Sequence, residues 1–180
     1  QPGQVHARQH GAEVPFERPA ELSDDHTGTI PVIRHAIDWC NQQGYSVRQA
    51  CCLYATAPFV TAEDLGRGLA ILQSNSCDYA FSVTSYPFPI QRAIRINRDG
   101  RVEMFSPEHF NTRSQDLEEA FHDAGQFYWG RAEAWLQGKP IFCPDALPVA
   151  LPRHRVQDID TEEDWVHAEW LFKAMRAQEG

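Results

Sequence analysis

With 180 residues, 42% of them hydrophobic, the chain carries enough apolar material for one domain with a real core, or for one domain with an excursion. Its formal net charge of -9 repels nucleic acid and anionic membrane surfaces over long range, so neither is an expected partner, and an anionic small substrate would need locally placed arginines. No apolar run of about eighteen residues and no basic-then-apolar leader is visible, which leaves no expected membrane span and makes the cytoplasm the default compartment.

The opening residues Gln1-Pro2-Gly3-Gln4 carry no strand pattern and lead into a short amphipathic piece that ends near Gly11. After a turn-rich stretch over 18–28, Thr29 is placed to cap a helix. Pro31 stands in its first turn, Ile30, Ile33, Ala36, Ile37 and Cys40 form one stripe, and Gly44 acts as a stop. The continuous apolar run 50–56 reads as a strand buried on both faces and paired in parallel. Thr61-Ala62-Glu63-Asp64 is a capping arrangement opening a helix through Leu65, Leu69, Ile71 and Leu72, and 79–84 supplies another apolar strand. Strand, helix and strand at this spacing make a right-handed βαβ unit.

The period then changes. Ile94 and Ile96 alternate with Arg95 and Asn97, Asp99-Gly100 marks a tight turn, and Val102 and Met104 resume the alternation: an antiparallel hairpin with one wet face that leaves the main sheet. Residues 106–115 read as loop, 116–122 as one or two helical turns, 126–129 as a strand, 131–137 as a helix closed by Gly138, and 144–152 as an extended path. A final helix from Thr161 to about Gln178 places Trp165, Ala168, Leu171, Phe172 and Met175 at helical spacing.

Five cysteines without C-x-x-C spacing suit reduced thiols, with adjacent Cys51 and Cys52 facing opposite ways in a strand. Eight histidines without H-x-x-x-H spacing argue against zinc. The stretch Asp158-Ile159-Asp160-Thr161 holds the sharpest chemistry. In an extended segment Asp158 and Asp160 point to one side and Ile159 to the other, and two such carboxylates suit magnesium, whose shell substrate phosphates complete. The same residues also read as a helix cap, because Asp160 or Thr161 can accept the first free N–H groups and Glu162, Glu163 and Asp164 suit the positive end of the dipole.

Several strings then occur in a fixed order: Ala55-Thr56-Ala57-Pro58-Phe59, Tyr86-Pro87-Phe88-Pro89-Ile90-Gln91-Arg92-Ala93, Arg113-Ser114-Gln115-Asp116-Leu117, Asp123-Ala124-Gly125-Gln126-Phe127-Tyr128-Trp129-Gly130 and Gln157-Asp158-Ile159-Asp160-Thr161. Together they resemble the acylneuraminate cytidylyltransferase family, over most of the chain from about Gly11 onward, and lean toward its pseudaminic acid members. The resemblance implies an α/β fold, a three-layer, mostly parallel sheet of nucleotide-diphospho-sugar transferase type, as a single domain over 1–180. It also implies a small antiparallel arm within 86–130 that swaps across a homodimer. The implied reaction joins CTP and a nine-carbon 2-keto sugar acid to give the CMP-sugar and pyrophosphate, with Mg2+ as cofactor.

By the same resemblance Asp158 and Asp160 are the metal-binding, catalytic pair, and capping passes to Thr161. Arg92 and Arg113 are candidates for gripping the sugar carboxylate with paired hydrogen bonds. Gln91, Gln115 and Asp116 are candidates for its hydroxyls and amides and Tyr128 for the sugar pocket, while Thr56, just past an expected parallel strand, lies at the edge where open α/β sheets bind ligands. Family members begin with a strand and a glycine-rich, Arg- and Lys-bearing loop that nothing here matches. The chain therefore reads as N-terminally truncated, missing that first strand and nucleotide loop, and weakly active or inactive by itself. A non-catalytic sugar-nucleotide-binding or dimerising remnant is the alternative, and a metal-dependent glycosyltransferase a more remote one.

Overall fold

The computed structural model describes residues 2–24 and 26–178, so Gln1 of the opening segment and Asp25 of the turn-rich stretch lie outside the described residues. In chain order the elements are α1 (Pro2–Gln9), α2 (Thr29–Gln42), β1 (Gln49–Leu53), α3 (Ala62–Ser74), β2 (Tyr79–Ser85), β3 (Ile94–Ile96), β4 (Val102–Met104), β5 (Phe121–Arg131), α4 (Ala132–Gln137), β6 (Ala146–Ala150) and α5 (Glu162–Gln178). Four strands form the main sheet in the order β1-β5-β2-β6, and β3 and β4 form a separate two-stranded sheet. Among the described residues no helix is long and apolar enough to cross a membrane.

Three of the four strands run the same way, as the βαβ pattern requires, but β1 and β2 are not neighbours. The long strand β5 lies between them and is antiparallel to both, while β2 and β6 pair in parallel. The expectation of parallel pairing for 50–56 therefore fails at the level of neighbours. The strand that separates the two starts five residues before the 126–129 that the apolar pattern predicts, because Phe121–Gly125 contains His, Asp and Gly and no apolar run. For the same reason the helical turns expected over 116–122 are absent; a single 3-10 turn spans Ser114–Asp116 and strand follows. Within 86–130, the excursion ends before Phe121, since β5 belongs to the main sheet.

Period-two alternation divides the core into two layers. On one face Leu72 of α3 packs with Cys77, Ala80, Ala124, Phe127, Val149 and Leu151, and on the other Ile37 of α2 and Ala134 and Trp135 of α4 pack with Tyr79 and Tyr128. Neighbours in sequence separate as expected: Cys51 borders the first cluster and Cys52 the second. Burial pushes the Cys51 thiol up to about 12, with Cys52 adding to the shift, and pushes Cys52 up to about 11, so both are neutral thiols. β1 is the edge strand, only partly buried on its two faces, against the expectation of full burial.

Local chemistry explains the helix ends. Thr61 caps α3 by accepting from the Asp64 N–H at 3.2 Å, and its hydroxyl donates to Asp64 Oδ2 at 2.7 Å. Arg131 closes the same helix from below, donating to Leu72 O and Asn75 O, both at 2.9 Å. Thr29 does not cap α2, which starts from Gly28 without a side-chain cap; its hydroxyl pairs instead with the Tyr54 hydroxyl at 2.7 Å. Gly138 ends α4 in the left-handed region, at φ 68°. The stripe expected on α5 is only partly covered: Ala168 is buried, but Trp165 and Phe172 remain exposed.

Gly130 on β5 leaves no room for a side chain, since a Cβ there would sit 2.7 Å from the Tyr79 ring and collide with the Trp135 indole. Gly130→Ala is expected to destabilise the fold by about 1–3 kcal/mol, read from the midpoint of urea unfolding.

Candidate active site

β5 carries an irregularity that shapes one end of the sheet. Phe81 pairs with Tyr128 but Val83 pairs with Asp123, so the residues between them on β5 bulge out of the ladder. Ser82, fully buried, holds the bulge by accepting from the Phe127 N–H at 3.1 Å and the Gln126 N–H at 3.3 Å. Gly125 sits at its crest with φ 62°, a backbone region that costs an L side chain about 1–3 kcal/mol. Asp123 folds back on this turn, its Oδ1 accepting from the Gly125 N–H at 2.9 Å and its Oδ2 from the Tyr128 hydroxyl.

Tyr128 forms the floor of a cleft of about 440 Å3 lined by Gly28, Thr29, Tyr54, Asp123, Ile141 and Phe142. Burial, then the hydrogen bond to Asp123, raises the Tyr128 hydroxyl well above its ordinary pKa, so it is a neutral donor. A second cleft of about 530 Å3 shares Gly28, Thr29 and Tyr54 with the first and continues along the free edge of β1, past Arg18 and Cys51 to Thr56. The uncapped start of α2, with its free backbone N–H groups, opens at the junction of the two.

Against the bulge lies the acidic segment. A Cβ on Gly125 would come within 3.6 Å of the Asp158 carboxylate, so that carboxylate rests on the bulge crest. Asp158 and Asp160 are both exposed and Ile159 turns inward to an apolar groove with Phe59 and Trp165, which is the expected alternation. Thr161 and Asp164 cap α5 reciprocally: Thr161 Oγ1 accepts from the Asp164 N–H at 3.2 Å, and Asp164 Oδ2 accepts from the Thr161 and Asp160 N–H groups at 2.9 and 3.2 Å. The cap is thus made without the Asp158 or Asp160 carboxylates, and among the described residues the Asp160 carboxylate accepts no hydrogen bond. No group of three or more His, Cys, Asp or Glu side chains among the described residues is arranged to hold a metal. Two exposed carboxylates fit a hard cation that takes the rest of its shell from phosphate and water.

The remaining candidates lie in the excursion. Gln91 Nε2 donates to Glu118 O at 3.1 Å and Arg92 Nη1 to Thr112 O at 3.3 Å, so both pin its base. Arg113 is exposed and donates through Nε to the Gln115 amide oxygen at 3.2 Å when that amide is turned to face it, Asp116 is exposed, and Gln115 lines a separate recess with Tyr86 and Phe88. None of these five lines either cleft, whereas Tyr128 and Thr56 do. Sequence reasoning missed Tyr54, Asp123, Ile141 and Phe142: the end of β1 brings Tyr54, the bulge Asp123, and the α4–β6 connection Ile141 and Phe142 to the cleft wall.

The chain is 40% identical over 167 residues, 93% of its length, to the pseudaminic acid cytidylyltransferase of Campylobacter jejuni subsp. jejuni serotype O:2, spanning 72% of that protein. It belongs to the pseudaminic acid cytidylyltransferase family, within the CMP-sugar synthetases. It is also 32% identical over 154 residues to a Helicobacter pylori protein named pseudaminic acid cytidylyltransferase and UDP-2,4-diacetamido-2,4,6-trideoxy-beta-L-altropyranose hydrolase, covering 85% of this chain and 29% of that one. No protein-family model matches the chain. In fold it is similar to a CMP:2-keto-3-deoxy-manno-octonic acid synthetase solved in complex with CTP, with a TM-score of 0.60 at 12% identity, over 98% of this chain and 77% of that one. The expected fold class, an α/β sheet of nucleotide-sugar transferase type, is borne out.

Asp64 contributes a pH dependence. Burial alone would raise its carboxyl, but hydrogen bonds from Arg155, Thr61 and Arg67 outweigh that and hold it well below the ordinary range. A carboxyl lowered in the folded state contributes stability that is complete above the unfolded value of about 3.9 and is lost as pH falls toward the folded value. The urea midpoint should therefore fall more steeply below about pH 4 in the wild type than in Asp64→Asn.

Proposed function

We propose that this protein activates pseudaminic acid, a nine-carbon 2-keto sugar acid, with CTP, and that Asp158 and Asp160 hold the Mg2+ the reaction needs. In the balanced step the sugar C2 hydroxyl forms a bond to the α-phosphorus of CTP, the bond from that phosphorus to the β-phosphate bridge breaks, pyrophosphate leaves, and the hydroxyl proton passes to solvent. When bound, the cation neutralises charge on the triphosphate and lowers the cost of the developing charge. The observation that carries the reading is the exposed acidic pair freed from capping duty by Thr161 and Asp164, at the edge where Asp158 meets the β5 bulge.

The chain's own residues supply orientation. Tyr128, only 3% exposed and donating to Asp123, backs the cleft as part of the core, and beside it the apolar surfaces of Tyr54 and Phe142 suit the sugar's amide methyl groups. Thr56 and the start of α2 border the cleft where the nucleotide phosphates fit. Arg18 also lines that cleft, and among the described residues it is the one basic side chain in its wall. Turnover by this chain alone is accordingly expected to be slow.

The hairpin carries the second half of the proposal. Ile94, Ile96 and Val102 share one face and are 56%, 75% and 64% exposed, although the register places Arg95 against Glu103 on the other. Both faces are therefore open in a single copy, and the apolar one supports pairing with a second copy of the chain as a homodimer.

Pyrophosphate release from CTP and pseudaminic acid tests the reaction. Asp158→Asn and Asp160→Asn are each expected to lower the rate roughly a hundredfold or more, as is chelation of divalent ions. Rates unchanged by either would reject the metal assignment. Ile96→Asp is expected to shift the protein to a smaller species in size-exclusion chromatography, and an unchanged elution would reject the arm as the dimer contact.

A further inference from the structure

Asp64 is 2% exposed at the start of α3, and four side-chain donations converge on it. Arg155 reaches it with two, Nη1 to Oδ2 at 2.6 Å and Nη2 to Oδ1 at 3.2 Å, Arg67 Nη2 donates at 2.8 Å, and Thr61 Oγ1 at 2.7 Å. Arg67 and Thr61 are local to α3 and would satisfy much of the carboxylate by themselves. Arg155 comes from the far end of the chain, three residues ahead of Asp158. Its backbone is also held, since Gln126 Nε2 donates to Arg155 O at 2.6 Å.

Gln126 is fully buried, and among the described residues its Oε1 has no partner. A buried amide with its oxygen unmet is costly, and an apolar side chain of similar volume would avoid that cost. Gln126 therefore makes one bond of use here, the one to the Arg155 carbonyl, and it makes it from the β5 bulge on which Asp158 rests. The chain from 155 to 158 is thus attached at three points: guanidinium to α3, carbonyl to the bulge, and the Asp158 carboxylate against Gly125. The α3 anchor follows directly on the loop that carries Thr56.

We propose that Arg155, gripped by Asp64 and Gln126, is a positioning residue that sets the acidic pair Asp158 and Asp160 relative to the loop bearing Thr56. This deepens, and rests on, the reading of that pair as the cation site. The two-pronged guanidinium fixes a plane that a lysine ammonium would not fix, and the Gln126 bond fixes the peptide that follows.

The test uses Arg155→Met, Arg155→Lys and Gln126→Met in the full chain, with three readouts: thermal midpoint, amide hydrogen exchange of 156–161, and Mn2+ affinity from the free-ion signal in electron paramagnetic resonance. A positioning role predicts faster exchange confined to 156–161 and Mn2+ binding weakened about tenfold in Arg155→Met and Gln126→Met, with midpoints within a few degrees of wild type and partial recovery in Arg155→Lys. Gln126→Met carries the test if Arg155→Met does not fold. Exchange in 156–161 and Mn2+ affinity that stay at wild-type values, or a fall in midpoint with exchange raised throughout α3 and β6, would overturn the proposal. Asp158→Asn separates the two readings: unchanged Mn2+ binding in that variant rejects the cation site, and exchange in 156–161 still decides whether Arg155 orders the segment.

Discussion

The bulge in β5 is the constraint on which the site depends. One buried hydroxyl, Ser82, meets the backbone N–H groups that the irregular ladder leaves unpaired, and one glycine, Gly125, takes the positive φ at its crest. From that crest three things follow. Asp123 turns toward Tyr128, the Asp158 carboxylate finds a surface without a Cβ, and Gln126 faces inward to hold the segment after β6. A regular strand would place none of these together, because alternation would send Asp123 and Gly125 to one face and Gln126 to the other with no change of direction.

The sheet around the bulge is stable for ordinary reasons. Two apolar layers, one around Leu72 and Phe127 and one around Tyr79 and Trp135, sandwich the central strands β5 and β2, and the most deeply buried side chains lie there. Away from that centre the molecule is less covered. The free edge of β1, the apolar face of the hairpin and much of α5 are all exposed, so the rigid centre presents its chemistry among surfaces that remain open to partners.

Membership in a cytidylyltransferase family gives this geometry its meaning, yet each role has a physical content that can be stated without it. Exposed carboxylates on alternate residues suit a hard cation, a neutral phenol fixed by a carboxylate suits a polyol, and the open start of a long helix suits an anion. The five arm residues expected to read the sugar lie instead in the excursion, where Gln91 and Arg92 hold its base and Arg113 meets Gln115.

Local patterns in the sequence determined the capping of α3 by Thr61, the opposite facing of Cys51 and Cys52, the turn at Gly100 and the alternation of Asp158, Ile159 and Asp160, because each depends on neighbours within a few residues. They failed for β5, whose polar start, read as helical turns up to His122, carries no strand pattern, and for β1, whose apolar run resembles a central strand although it lies at the edge. The antiparallel insertion of β5 between β1 and β2, the cleft wall of Tyr54, Asp123 and Phe142, and the pairing of Asp64 with Arg155 were decided only by tertiary structure. The reason is physical: these features join residues tens of positions apart, and no periodicity along a chain encodes which strand will lie beside which, or which buried charge will meet its partner.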